Sequence, residues 1–202
     1  MASCKMAHYF SQEQASPLKL KKISAALRGH DFEFYTGSGV FSPKKIDSGT
    51  QLLIETAIVN KQWKILDLGC GYGPVGITMA KIFPDAGITM TDINTRAIQL
   101  AKMNIKLNHV ANAEVIFSDL YKSIEGKFNT IIVNPPQKAG KETCFEIIEK
   151  SIGYLEPNGS LQLVARHNKG GKELEKKMNL VFGNVKAIAK KGGYRVYTSI
   201  LP

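Results

Sequence analysis

At 202 residues with 44% hydrophobic content, the chain is long enough to bury one substantial core, and its length favours a single domain with at most a short appendage. No apolar run approaches the roughly 18 residues that span a bilayer, and the opening residues hold no signal-peptide core. Cys4, Cys70 and Cys144 are widely separated and lack any paired spacing for zinc or redox chemistry, so the expectation is a cytoplasmic protein with free thiols, no metal and no membrane partner. The formal net charge of +10, from 27 basic against 17 acidic residues, suits a polyanionic partner such as RNA.

Residues 1–30 are mixed and polar and read as an N-terminal appendage to a domain over 31–202. After Pro17, the residues Leu18, Leu20, Ile23, Ala26 and Leu27 fall on one face of a short helix, with Lys19, Lys21 and Lys22 outward. From Asp31 to Phe41 the aromatics alternate loosely with small or polar residues, which predicts a hairpin turning at Gly37-Ser38-Gly39, with Phe32 and Phe34 packed against the sheet edge. Asp47-Ser48-Gly49-Thr50 then opens a helix to about Val59, capped by Asp47 or Ser48, whose free backbone donors favour an anion.

Lys64 to Leu68 is a buried-strand pattern running into Gly69-Cys70-Gly71-Tyr72-Gly73-Pro74 and an apolar-periodic stretch from Val75 to Phe83, so strand, glycine loop and helix follow one another. Such loops let a nucleotide cofactor approach the main chain. The next strand ends in Asp92, 19 residues beyond Gly73, where a ribose-binding carboxylate belongs. A helix over Asn94–Asn108 leads to the strand Glu114–Phe117 and then to Ser118-Asp119, a polar pair suited to an adenine amine. The run Thr130–Val133 ends in Asn134-Pro135-Pro136, where two prolines hold the Asn134 and Pro135 carbonyls in nearly fixed directions. Four successive strands therefore present polar or glycine-rich groups at their carboxyl ends, the ligand edge of open α/β sheets. A helix around Cys144 and Ile148, a turn at Pro157-Asn158-Gly159, a strand over Ser160–Ala165 and two strands joined by Lys190-Lys191-Gly192-Gly193 complete the chain.

Gly71-Tyr72-Gly73-Pro74-Val75-Gly76 also satisfies a dinucleotide-binding pattern. A dehydrogenase needs a substrate domain for which no length remains, and that reading explains neither Asp67 nor the Asn-Pro-Pro turn. Asp67-Leu68-Gly69-Cys70-Gly71-Tyr72-Gly73, Thr91-Asp92-Ile93-Asn94, Ser118-Asp119 and Asn134-Pro135-Pro136 together resemble the class I S-adenosylmethionine-dependent methyltransferases. Ser38-Gly39-Val40-Phe41-Ser42, Asp47-Ser48-Gly49-Thr50 and the terminal Phe182–Val196 segment narrow the resemblance to the RsmC-like enzymes, which methylate guanine N2 of small-subunit ribosomal RNA.

The resemblance implies an α/β, Rossmann-like doubly wound sheet of about seven strands, mostly parallel with an antiparallel C-terminal hairpin. It also implies S-adenosylmethionine as cofactor, held by Asp67, Gly69, Cys70, Gly71, Gly73, Pro74, Asp92, Ile93, Asp119, Leu120 and Asn134. Asn134, Pro135 and Pro136 are the implied catalytic turn, on which an exocyclic amine hydrogen-bonds to the Asn134 side-chain oxygen and the Pro135 carbonyl. Phe41, Ser42, Gln137, Lys138 and Arg166 are the expected substrate contacts, and ribosomal RNA or the small ribosomal subunit is the expected partner. Many relatives carry Phe or Tyr where this chain has Gln137, so either another ring takes the base, with Phe41, Tyr35 and Phe34 as candidates, or the substrate pocket differs from that of the base-stacking members. A tRNA guanine or adenine, or a protein glutamine amide, is the alternative target.

Overall fold

Strands that read as continuous apolar runs are buried on both faces, as a sheet sandwiched between helices requires. The computed structural model describes residues 17–136 and 139–202. A hairpin of β1 (Leu20–Leu27) and β2 (His30–Gly37) is followed by α1 (Ser48–Thr56), β3 (Lys64–Leu68), α2 (Pro74–Ile82), β4 (Gly87–Asp92), α3 (Thr95–Leu107), β5 (Ala113–Phe117) and β6 (Phe128–Val133). Then come α4 (Lys141–Ser151), β7 (Leu155–Arg166), α5 (Lys172–Phe182), β8 (Lys186–Lys191) and β9 (Tyr194–Ile200). The main sheet has the order β5-β4-β3-β6-β7-β9-β8. Its first five strands are parallel, and β9 runs antiparallel to both β7 and β8. This is the doubly wound sheet with an antiparallel C-terminal hairpin that the resemblance implies.

Alternation along the strands divides the core in two. Ile65, Ile132, Val164 and Val196 face α1, α2 and α3, whereas Leu66, Ile131, Leu163 and Tyr197 face α4 and α5. The predicted turn at 157–159 is taken into β7 as an irregularity, with Asn158 at φ +61° and a register shift against β6. Helix α1 stops at Thr56 rather than Val59, because Gln162 of β7 captures the next backbone: its Oε1 accepts from Ile58 N and its Nε2 donates to Ile58 O, at 2.8 and 2.7 Å.

The expected helix over residues 18–27 is a strand. Ile23, Ala25 and Leu27 turn inward while Lys22, Ser24 and Ala26 are exposed, a period of two rather than 3.6. The hairpin turns at Arg28-Gly29, with φ of 48° and 76°, and not at Gly37-Ser38-Gly39; this left-handed pair matches the twist of tightly joined strands. Arg28 is half-buried, and its guanidinium donates to the carbonyls of Ile54 in α1 and of Ala57 just past its end. Phe32 and Phe34 are buried, as expected, and stack with centroids 5.9 Å apart.

The other edge of β2 pairs with asparagine side chains instead of a third strand. Asn104 Oδ1 accepts from Tyr35 N at 2.6 Å, and its Nδ2 donates to Tyr35 O and Tyr72 O at 2.8 Å. Asn108 Nδ2 donates to Glu33 O. These amides satisfy an otherwise open edge and tie the hairpin to α3 and the glycine loop. Asn104→Ala strands three backbone groups, of which Tyr72 O is buried and the two of Tyr35 are half-buried and within reach of water. At roughly 1–3 kcal/mol for a fully buried group left unpaired and less for the other two, we expect a loss of about 2–4 kcal/mol in urea-unfolding free energy.

Candidate active site

Above the carboxyl edge of the sheet lies a cavity of about 370 Å³, within the usual range for a small-molecule site. Sequence-predicted residues from four strands meet there: Asp67 within β3 and Gly69, Cys70, Gly71 and Pro74 after it; Asp92 at the end of β4 and Ile93 after it; Asp119 and Leu120 after β5; and Asn134, Pro135 and Pro136 after β6. Phe41 and Ser42 close another wall. Gly73 does not line the cavity but caps α2 with φ of 96°. Arg166 also lies off the cavity wall, its Nε donating to the Tyr194 hydroxyl at 3.0 Å. Gln137 and Lys138 lie outside the described residues.

The glycine loop owes its form to two demands. Gly69 and Gly71 have φ of 74° and 58°, and a Cβ on either would meet nothing within 4 Å, so their open faces admit a ligand to the main chain. Gly76, inside α2, answers the opposite need. A Cβ there would run into the Met90 side chain, so glycine lets α2 lie this close to β4, and Gly76 N donates to Asp67 Oδ2 at 2.8 Å. Cys70 is buried, and burial pushes its thiol well above the ordinary range, so it is a small wall residue rather than a nucleophile.

Two carboxylates set the electrostatics. Burial raises the Asp67 carboxyl to about 7, against the Gly76 hydrogen bond, with the Asp92 charge adding to the rise. Asp92 is likewise raised by burial although it accepts from Gly71 N and Asn94 N, both at 2.8 Å. Each Asp92 oxygen thus keeps lone-pair capacity for a ligand hydroxyl. Thr91 also lines the cavity, and its hydroxyl is buried without a partner among the described residues. The Ser118 hydroxyl is used in its own turn, donating to Leu120 O and accepting from Ser123 N, so Asp119 is the polar side chain this turn offers the cavity.

A folded-state carboxyl held above its ordinary 3.8 favours the folded protein when protonated, and that contribution is lost as pH rises through about 7. We therefore expect Asp67→Asn to flatten the gain in thermal midpoint that the ligand-free chain shows between about pH 7.5 and pH 5. The difference between parent and variant melting curves isolates this group from the other carboxylates.

Asn134 carries the feature that sequence reasoning missed. Its Nδ2 donates to the Thr50 hydroxyl of α1 at 2.8 Å, across 84 residues of chain. That bond ties the amide to α1, and with Nδ2 as the donor Oδ1 is left as an acceptor with no hydrogen bond among the described residues. The Pro135 carbonyl also accepts none among them, while Pro136 O is taken by Ala139 N at 2.7 Å. Two adjacent acceptors therefore remain on a turn that proline holds still. The helix bearing Thr50 is capped as expected by Asp47, whose Oδ2 accepts from Gly49 N and Thr50 N. No sequence signal pairs a threonine in a first helical turn with an asparagine six elements later.

Of the three rings considered for stacking, Phe34 is buried against Tyr72 and Tyr35 lies in β2 away from the cavity, which leaves Phe41 on the wall and partly exposed. Among the described residues no group of three or more His, Cys, Asp or Glu stands together as a metal site, and no helix is long and apolar enough to cross a membrane.

A doubly wound sheet with a glycine loop, an acidic residue at the end of β4 and an Asn-Pro-Pro turn after β6 is the plan of a class I methyltransferase. Residues 31–198 match the methyltransferase small domain family. The chain is 36% identical over 192 residues to the uncharacterized protein YbxB of Bacillus subtilis (strain 168), covering 94% of this chain and 96% of that protein. It is 34% identical over 198 residues to the ribosomal RNA small subunit methyltransferase C of Haemophilus influenzae (strain PittGG), covering 95% of this chain but spanning only 59% of that relative's length. The T. thermophilus 16S rRNA N2 G1207 methyltransferase (RsmC), solved with AdoMet and guanosine, superposes with a TM-score of 0.79 at 22% identity, over 94% of this chain and 53% of that one. The chain belongs to the methyltransferase small domain family and is an S-adenosylmethionine-dependent methyltransferase.

Proposed function

We propose that the chain methylates an exocyclic amine of RNA, and that the amine is guanine N2 of small-subunit ribosomal RNA. The observation that carries the reading is the Asn134 amide, oriented by Thr50 so that its oxygen and the Pro135 carbonyl stand as paired acceptors beside the cavity. S-adenosylmethionine supplies, when bound, a methyl group on an electrophilic sulfonium. Asp92 would hold the ribose hydroxyls, Asp119 the adenine amine, and Gly69 and Gly71 the open main chain between them. The fit is favoured by the lone pairs left on Asp92, the unpartnered Thr91 hydroxyl and the open faces of the two glycines.

Guanine's amine is a weak nucleophile because its lone pair is delocalised into the ring. Asn134 Oδ1 and the Pro135 carbonyl accept its two hydrogens, turn the nitrogen toward tetrahedral geometry and direct its lone pair. Phe41 takes the stacking role that an aromatic at position 137 plays in many relatives. Support for RNA comes from the +10 net charge and from the ribosomal RNA methyltransferases to which the chain is similar.

The test is transfer of radiolabelled methyl from S-adenosylmethionine to ribosomal RNA and tRNA from cells lacking the activity, with the modified nucleosides identified by mass. Label in N2-methylguanosine of small-subunit RNA is expected. Label in tRNA alone would replace the substrate while keeping the chemistry, and no label in any RNA by a cofactor-bound chain would overturn the RNA reading.

A further inference from the structure

The carboxyl edge of the sheet changes sign along its length. Strands β3, β4 and β5 bring Asp67, Asp92 and Asp119 to it or just beyond it. On the far side of β6 the residues at the same edge are basic. β7 ends in Arg166; β8, antiparallel to β9 and so parallel to β7, ends in Lys190 and Lys191; and β9 begins with Tyr194 and Arg195.

Register sorts these groups into two rungs. Arg166, Tyr194 and Lys191 are mutual partners, as are Ala165, Arg195 and Lys190. Directly opposed residues share a face, so the first rung lies on the α1 side and the second on the α5 side, where Lys172 opens the helix. Among the described residues none of Lys172, Lys190, Lys191 and Arg195 is in an ion pair. The His167 imidazole beside them is held below its ordinary range by desolvation and then by Arg195, Lys172 and Lys190, against the single opposing charge of Glu175.

We propose that Arg166, Lys172, Lys190, Lys191 and Arg195 form the surface that holds the RNA backbone flanking the target nucleotide. The proposal rests on the RNA reading above. Continuity with the cavity runs through Tyr194, whose hydroxyl donates to Asp47 Oδ1 at 3.3 Å and whose ring packs on Gly49, while the Arg166 guanidinium sits 4.9 Å from the ring centroid. Asp47 caps the helix that carries Thr50 and itself lines the cavity. The first rung therefore borders the cavity mouth, and the second continues the same edge of the sheet on the α5 side. Lysines on β8 would also discourage edge pairing, but that role does not account for Arg166 on β7 or Arg195 on β9, neither of which is an edge strand.

Fluorescence anisotropy of a labelled ribosomal RNA fragment, titrated with the whole chain across a salt series, tests this. Neutralising three phosphate contacts in Lys190→Ala/Lys191→Ala/Arg195→Ala should flatten the slope of log affinity against log salt by about 2, at roughly 0.7 per contact. Affinity at low salt should fall at least tenfold, and S-adenosylhomocysteine binding by calorimetry should stay within twofold. Lys61→Ala/Lys64→Ala/Lys127→Ala removes the same charge from the opposite edge and should leave the slope near that of the parent. Equal slopes for the parent and the first variant, or equal losses in both variants, would overturn the patch while the parent's RNA methylation stands. A parent that neither binds nor methylates RNA would overturn the RNA reading, and the patch with it.

Discussion

Asn134→Ala is expected to lower turnover at least a hundredfold while cofactor affinity, measured by calorimetry with S-adenosylhomocysteine, stays within a few fold. The magnitude is that of one oriented polar group removed from a reacting centre, roughly 10²–10³ in kcat. Alanine deletes the oxygen proposed to accept one amine hydrogen and leaves the Pro135 carbonyl to hold the base alone. It also deletes the donor to Thr50, whose hydroxyl then has to find water. Thr50→Val separates the two effects. The acceptor survives but its amide is free to rotate, so turnover should fall about tenfold through lost orientation, and Thr50→Ser should restore it. Equal losses in turnover and cofactor affinity for Asn134→Ala would refute the assigned role.

How much of this was legible depended on the range of the contact concerned. The glycine loop, Asp92 and the Asn-Pro-Pro turn each announce themselves within a few residues, because a positive φ, a short carboxylate at a strand end and a doubled proline are local devices. Parallel strands buried on both faces were also plain as short apolar runs. The N-terminal hairpin was not. Leu18, Leu20, Ile23, Ala26 and Leu27 fit a helical stripe, yet pairing with β2 decided the outcome, since eight residues on each side register about a turn as tight as Arg28-Gly29. Beyond local reach lay every long-range polar contact: Thr50 with Asn134, Gln162 with Ile58, and Asn104 with Tyr35. An amide looks the same in sequence whether it is solvated, caps an open strand or orients a reacting group. The basic cluster around Arg166 has the same origin, since only the antiparallel register of β7, β9 and β8 gathers charges some thirty residues apart onto one edge.

Asp92→Ala is expected to weaken cofactor binding by about two orders of magnitude, with the fold retained. Hydrogen bonds to a charged partner contribute about 1.5–3 kcal/mol each, so losing two ribose contacts would predict a larger effect if both were independent. They are not independent, because one carboxylate serves both hydroxyls and also accepts from Gly71 N and Asn94 N. Asp92→Asn keeps the shape and one acceptor but sets an amide NH₂ against one of those two backbone donors, so it should bind almost as poorly as the alanine variant. The carboxylate is raised by burial, and it is the ionised form that can accept from both hydroxyls and both backbone donors at once. Affinity for S-adenosylhomocysteine should therefore weaken as pH falls through that raised range, and the pH dependence should shrink in Asp92→Asn. Calorimetric titrations at a series of pH values, with circular dichroism to verify that the fold persists, distinguish the outcomes. Unchanged affinity in Asp92→Ala would mean that the ribose is held elsewhere, and would leave Asp92 as the residue that shapes the glycine loop by anchoring Gly71 to the end of β4.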